Sequence, residues 1–213
     1  VSTDIYGCIE VRHPCADEDW YEWEPWQRAM DLSPLYPGQD YAAFGCLFGV
    51  RDYAGWEPLA AGRGLPADAS TAIREEFEQA KALDAAVNSP TWVSWEELDQ
   101  ADLGLSPEGV RGVLIAREGD TPSIEARYVV RDQWPTEFVE RHGAPPLGVS
   151  PLGAPYGEPY GEWASGATRF CYQRFTRRDV LGPGTGWEHV FAVMRALAGR
   201  FGGSGVRLVV YFD

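Results

Sequence analysis

The sequence predicts an α+β domain in which helices pack on one face of a mixed or mainly antiparallel sheet that contains both ends of the chain. Three observations lead there. Residues 4–12 alternate, with Ile5, Ile9 and Val11 on one side and Asp4, Glu10 and Arg12 on the other, as in a half-buried strand. The closing run Val206-Arg207-Leu208-Val209-Val210-Tyr211-Phe212-Asp213 is denser in β-branched and aromatic residues, the pattern of a strand covered on both faces. Between them, helix signals recur at about 40–51, 71–86, 95–102 and 186–201.

After the first strand, residues 16–31 mix acid with aromatics: Asp17, Glu18, Asp19, Trp20, Glu22, Trp23, Glu24 and Trp26. Runs of this composition dock on basic partners; they also occur as surface excursions whose indoles cover the edge of a core, which is the expectation here. Asp40 caps a helix in which Tyr41, Phe44, Leu47 and Phe48 recur at helical spacing. Gly45 and Gly49 lower its propensity, which a close approach by a neighbouring element explains. Arg51 follows at the carboxyl end, where a cation is favoured. Gly55, Pro58, Gly62, Gly64 and Pro66 then break regular structure, and Ser70 caps the next helix.

Ser94 and Glu97 have capping-box spacing, and Val93 with Leu98 has that of a hydrophobic staple, so a helix starts at Trp95. Residues 110–117 and 124–131 form a hairpin around Gly119-Asp120-Thr121-Pro122, with Arg111, Arg117, Arg127 and Arg131 on one face. Such a guanidinium cluster suits a phosphate or carboxylate, and equally suits pairing with the protein's own acids. Residues 143–166 are rich in proline and glycine and contain a near-duplication, Tyr156-Gly157-Glu158-Pro159 then Tyr160-Gly161-Glu162-Trp163. A loop of that length is usually a lid, a binding loop or an insert, and its aromatics argue against disorder. Residues 168–175 are expected to form one more strand. Thr185 and Glu188 repeat the capping-box spacing and open a helix with the stripe Trp187, Val190, Phe191, Met194, Leu197, Ala198 and Phe201; Gly202-Gly203 ends it. His189 falls off that stripe. The glycines of 182–186 lack the leading strand of a dinucleotide fingerprint.

A chain of 213 residues, 45% of them hydrophobic and nine of them Trp, can bury a sizeable core, and a single compact domain over 1–213 is expected. The net charge of −14 argues against a broad nucleic-acid surface. Lys81 is the only lysine, so the positive charge is almost all guanidinium. Cys8, Cys15, Cys46 and Cys171 form no CxxC pair, and His13, His142 and His189 lie far apart, so neither a metal nor a cofactor is expected. Cys8 and Cys46 read as reduced core residues. With no leader pattern and no apolar run of about 18 residues, the expectation is a soluble cytoplasmic protein away from membranes.

The chain resembles a family of uncharacterised proteins common in bacteriophages and actinobacterial genomes. The resemblance rests on Asp4-Ile5, on Tyr41-x-x-Phe44 running into Gly49-Val50-Arg51, on Arg63-Gly64-Leu65-Pro66-x-Asp68-x-Ser70, on Trp92 with Glu97-Leu98, and on the closing VRLVVYFD. It covers the first hundred residues and the ending; residues 105–185 are unmatched. Family members read D-I-H where this chain has Asp4-Ile5-Tyr6, and H-S-x-S-W where it has Asn88-Ser89-Pro90-Thr91-Trp92. Tyr6 and Asn88 keep hydrogen-bonding capacity, but neither is a good metal ligand or a base near neutral pH.

The leading expectation is a non-catalytic binding protein for a small anionic, nucleotide-like ligand. Arg51 and Arg63 would contact the anion, Asp4, Asp68, Tyr6 and Asn88 would orient it by hydrogen bonds, and aromatics of 143–166 would close over it. A metal-independent enzyme on a nucleotide-like substrate would use Asp4 or Asp68 as acid/base, but the chain has no nucleophile elbow or phosphate loop. A third reading is an interaction or inhibitor module, phage-associated or of immunity type, whose acidic surface engages a basic protein. Against all three, Arg51 and Arg63 would simply pair with Asp4 and Asp68 and lock the Arg63–Pro66 turn onto the sheet.

Overall fold

The computed structural model describes residues 2–152 and 160–213. In chain order its elements are β1 (Ile5–Arg12), β2 (Trp26–Asp31), α1 (Leu32–Leu35), α2 (Tyr41–Phe48), α3 (Thr71–Leu83), β3 (Asn88–Ser94), α4 (Trp95–Gln100), β4 (Gly112–Glu118), β5 (Ala126–Val130), α5 (Thr136–His142), β6 (Gly161–Ser165), β7 (Thr168–Gln173), α6 (Arg177–Leu181), α7 (Trp187–Phe201) and β8 (Val206–Phe212). The fold is α+β, with two four-stranded antiparallel sheets. The chain divides into two compact units, one of Val1–Asp52, Pro58–Ala101 and Gly186–Asp213, the other of Tyr53–Glu57 and Asp102–Thr185.

The first unit holds the sheet β2-β1-β8-β3, so the strands from the two ends of the chain are neighbours. Cys8 stands opposite Val209 and Glu10 opposite Arg207. At Gly7, φ is 144° and an added Cβ would lie 2.0 Å from the Val209 carbonyl oxygen, so this close approach of β1 to β8 requires glycine. Every residue of β8 is buried, because alternate side chains enter two different cores. Val209 and Tyr211 pack with Cys8 and with Ile73 and Phe77 of α3. Phe212 points the other way, edge-on to Phe44 and Phe48 of α2, and Phe48 in turn meets Trp187 of α7. The helices, expected on one face of the sheet, therefore occupy both.

The helix starts follow local chemistry. Asp40 accepts hydrogen bonds from Ala42 N at 3.0 Å and Ala43 N at 3.3 Å, and Ser70 accepts from Ile73 N. Ser94 and Glu97 close both halves of their capping box. Gly45 lies against Asp52, whose Cα would be 2.9 Å from a Cβ at that position, the close approach its presence in a helix implied. At α7 the cap is Gly186 instead of Thr185; Glu188 accepts from Gly186 N, while the Thr185 hydroxyl donates to the Gly182 carbonyl.

Two expectations for the amino-terminal region are corrected. Glu10, placed on the polar side of a half-buried strand, is completely buried, because Arg207 comes to meet it from β8. Of the indoles in 16–31, only Trp26 covers the core; Trp20 and Trp23 are exposed.

The second unit holds the sheet β5-β4-β7-β6. The β4–β5 hairpin lies where expected, and β7 occupies 168–173 of the expected 168–175. One face buries Leu114, Ala116, Tyr128, Val130, Phe170 and Tyr172 against Phe138 of α5. The other carries Arg117, Arg127, Arg169 and Cys171, which the register sets on the opposite side. Of the expected loop at 143–166, the last five residues but one form β6, while the Tyr156-Gly157-Glu158-Pro159 half of the duplication falls outside the described residues. Among the described residues no helix is long and apolar enough to cross a membrane.

Candidate functional site

The residues singled out from sequence separate into two places in the first unit. Asp4, Tyr6 and Asn88 come together at one end of the sheet, with Tyr6 opposite Tyr211 and Asn88 opposite Phe212. Asp4 N donates to Asp213 Oδ1 at 2.8 Å, and its carboxylate accepts from Gln39. The Tyr6 hydroxyl donates to Asp213 Oδ2 at 2.9 Å, and its ring stacks on Tyr211 at 5.4 Å. Burial and the Asp213 carboxylate push the Tyr6 phenol up to about 12. Asn88 turns to its own surroundings, the Ala86 carbonyl and the Ser89 hydroxyl. Arg51 adjoins this end through Thr3, whose hydroxyl accepts from its Nε at 2.9 Å; its backbone is left-handed, with φ 52°. Among the described residues no group of three or more His, Cys, Asp or Glu is arranged to hold a metal ion.

Arg63 and Asp68 lie elsewhere and are engaged by other groups. Arg63 Nη1 and Nη2 donate to Glu97 Oε2 at 3.0 Å and Oε1 at 2.7 Å, and further to the carbonyls of Trp92 and Leu59. Its Cζ also lies 5.1 Å from the centroid of the Trp92 ring. The Glu97 carboxyl is held below its usual range, mainly by the Arg63 hydrogen bond. Asp68 accepts from Trp26 Nε1 and Arg207 Nη1, each at 2.8 Å. Burial raises its pKa, but the Arg207 hydrogen bond and charge outweigh that and leave it lowered, which makes it a poor proton carrier near neutrality.

Arg207 is the hub of this second cluster. Its guanidinium sits 3.7 Å from the Trp26 centroid and 5.7 Å from that of Trp92, and it bonds Glu10 Oε2 at 2.8 Å. Glu10 Oε1 accepts from Ser70 N at 2.9 Å. The arrangement ties 63–70 to the sheet with every charge answered. Pairing of Arg63 with Asp68 does not occur; Glu97 and Arg207 take those roles. Arg207 was hidden within a strand read as apolar, and Glu97 was recognised only as a cap.

The second unit contains a cleft of about 430 Å³ lined by Arg117, Asp120, Glu162, Trp163, Arg169 and Cys171 among others. The register places Arg117 directly opposite Arg169, and Glu162 opposite Cys171. Like charges so placed repel unless a negative group lies between them. Asp120 answers Arg169 at 2.9 Å. Arg117 has no carboxylate within ion-pair distance among the described residues. Cys171 Sγ donates to Gln173 Oε1 at 3.1 Å, and burial followed by the Glu162 charge pushes its thiol up to about 11. A thiol so held is a poor nucleophile at neutral pH.

The hairpin arginines do not act as one cluster. Arg131 turns to the carbonyls of Tyr53 and Gly109, and Arg111 lies 4.0 Å from Asp132. Arg117 instead finds Arg169, from a strand outside the hairpin. The alternation of Arg169, Cys171 and Gln173 was the available signal, but only the β4–β7 pairing brings it to Arg117. No protein-family model matches this chain, and neither a curated protein nor a solved structure is similar enough to it to count as a match.

Proposed function

We propose that the protein binds a small anionic, nucleotide-like ligand without transforming it, and that Arg117 and Arg169 receive the anion. The observation that carries this reading is the direct cross-strand placement of two guanidinium groups in a cleft where Asp120 answers only one of them. A phosphate or carboxylate between them offsets the repulsion and uses the forked geometry of both side chains. The cleft volume suits a ligand of phosphate to nucleotide size. The chemistry of the lining favours holding over turnover, since burial and the neighbouring Glu162 charge keep the thiol protonated.

Thermal-shift titration with inorganic pyrophosphate and nucleoside monophosphates, followed by mass analysis of the ligand, tests the reading. The expected result is stabilisation that Arg117→Gln and Arg169→Gln each remove, with the ligand recovered intact. Consumption of the ligand would instead favour the enzyme reading. No stabilisation, or a shift that survives both substitutions, overturns the proposal.

A further inference from the structure

Between β1 and β2 the chain makes an excursion, residues 13–25, that is bonded mainly to itself. His13 N donates to the Pro25 carbonyl at 2.8 Å, Ala16 N to His13 O at 3.0 Å, Glu18 N to Cys15 O at 3.0 Å and Tyr21 N to Glu18 O at 2.9 Å. The Tyr21 hydroxyl reaches Glu24 O at 2.9 Å, its ring stacks on His13 at 4.4 Å, and Arg12 grips Asp17 with two bonds of 2.7 and 2.8 Å. On this frame stand two indoles, Trp20 and Trp23, 61% and 70% exposed and each edge-on or tilted toward Tyr21.

Large aromatics held in place but left in water are the usual anchors of protein interfaces. Because the loop is already ordered, docking on it costs little conformational entropy. Its charge selects the partner. Residues 13–25 contain five carboxylates and no lysine or arginine. Asp17 is taken by Arg12 and Glu24 by Thr71, while Glu18, Asp19 and Glu22 are exposed and lie within two residues of an indole in sequence. An indole face with carboxylates around it is a receptor for guanidinium, which stacks on the ring and fills the acid with its fork. The protein uses that chemistry internally: Arg207 lies over Trp26 between Glu10 and Asp68, and Arg63 lies over Trp92 against Glu97.

We propose that the 13–25 loop is a docking surface for an arginine-bearing segment of a partner protein, with Trp20 and Trp23 as the stacking platforms and Glu18, Asp19 and Glu22 as the counter-charge. The site is independent of the Arg117–Arg169 cleft and stands or falls separately.

The test is fluorescence anisotropy of a labelled peptide of alternating arginine and glycine, titrated with the full chain. The expected result is saturable, salt-sensitive binding that a Trp20→Ala/Trp23→Ala variant weakens by about tenfold or more at unchanged thermal midpoint. Glu18→Gln/Asp19→Asn/Glu22→Gln is expected to weaken it likewise. The tryptophan variant keeps the net charge of −14, so equal binding by it would mean that overall charge alone attracts the peptide, and would overturn the proposal. Absence of binding by the parent protein would also overturn it.

Discussion

The guanidinium of Arg63 lies fork to fork with the carboxylate of Glu97, the same carboxylate that closes the capping box of α4. One acid thereby joins the Arg63–Pro66 turn to the start of a helix 34 residues away in sequence. Replacing Arg63 by alanine is expected to lower stability by about 1–2 kcal/mol, the range for a half-buried charge-assisted pair. Urea denaturation would read the loss. Arg63→Lys should recover only part of it, because an ammonium cannot make the parallel bonds. Pyrophosphate binding in the cleft should be unchanged by either substitution.

The same pair makes stability depend on acid. The Glu97 carboxyl is depressed below its ordinary value of 4.5 in the folded protein, so its contribution is complete above that value. It is lost as pH falls through the folded value, since the unfolded chain takes up the proton first. The urea midpoint should therefore decline below about pH 4.5, and Arg63→Ala should decline less steeply over that interval. An identical slope in the two proteins would remove Glu97 from the account.

Glu10 and Arg207 form the more demanding pair, with side chains 0% and 4% exposed. Removing Arg207 leaves Glu10 buried without an answering charge, so Arg207→Met is expected to cost about 3–5 kcal/mol, whereas Glu10→Met leaves Arg207 its pair with Asp68 and costs less. Glu10→Met/Arg207→Met should cost clearly less than the two single changes added together, since neither charge is then left alone. Guanidinium chloride unfolding of the three variants gives the comparison directly.

Thiol labelling should separate the four cysteines. Cys8 and Cys46 are reduced and fully buried, and burial pushes the Cys8 thiol up to about 11. Cys171 is partly accessible in the cleft yet also pushed up to about 11. Iodoacetamide at pH 7.5 is expected to modify Cys15 first, Cys171 slowly, and the other two only on unfolding. Pyrophosphate should slow Cys171 further, and mass mapping of the labelled peptides would show it.

What could be read in advance was what is local. Asp40, Ser70 and Ser94 announce their helices because a cap bonds backbone groups two or three residues away. The β4–β5 hairpin is legible for the same reason. β2 was missed because its inward positions are Trp26, Arg28 and Met30, and the apolar alternation breaks at an arginine whose burial is made acceptable by Glu76 and Asp31. β3 begins Asn88-Ser89-Pro90, with Ser89 at φ 53° and a register shift before Thr91, so it carries no strand pattern until it is half over. β6 has Trp163 as its one large apolar residue. The candidate site was harder still. A guanidinium reads the same whether it meets a ligand or Glu97, and the partner that decides between them is tens of residues away.

The position of β8 bears on how the protein is made. It follows every other strand of its sheet in sequence and lies between β1 and β3, joined to the first by contacts such as Glu10 to Arg207 across 197 residues. The second sheet draws all its strands from 112–173 and can pair while synthesis continues. The first cannot, because β1 and β3 must wait, each with an open edge, for a strand not yet synthesised. A chain cut short before Val206 therefore loses the middle of that sheet, and the two halves left behind share no hydrogen bonds across the gap.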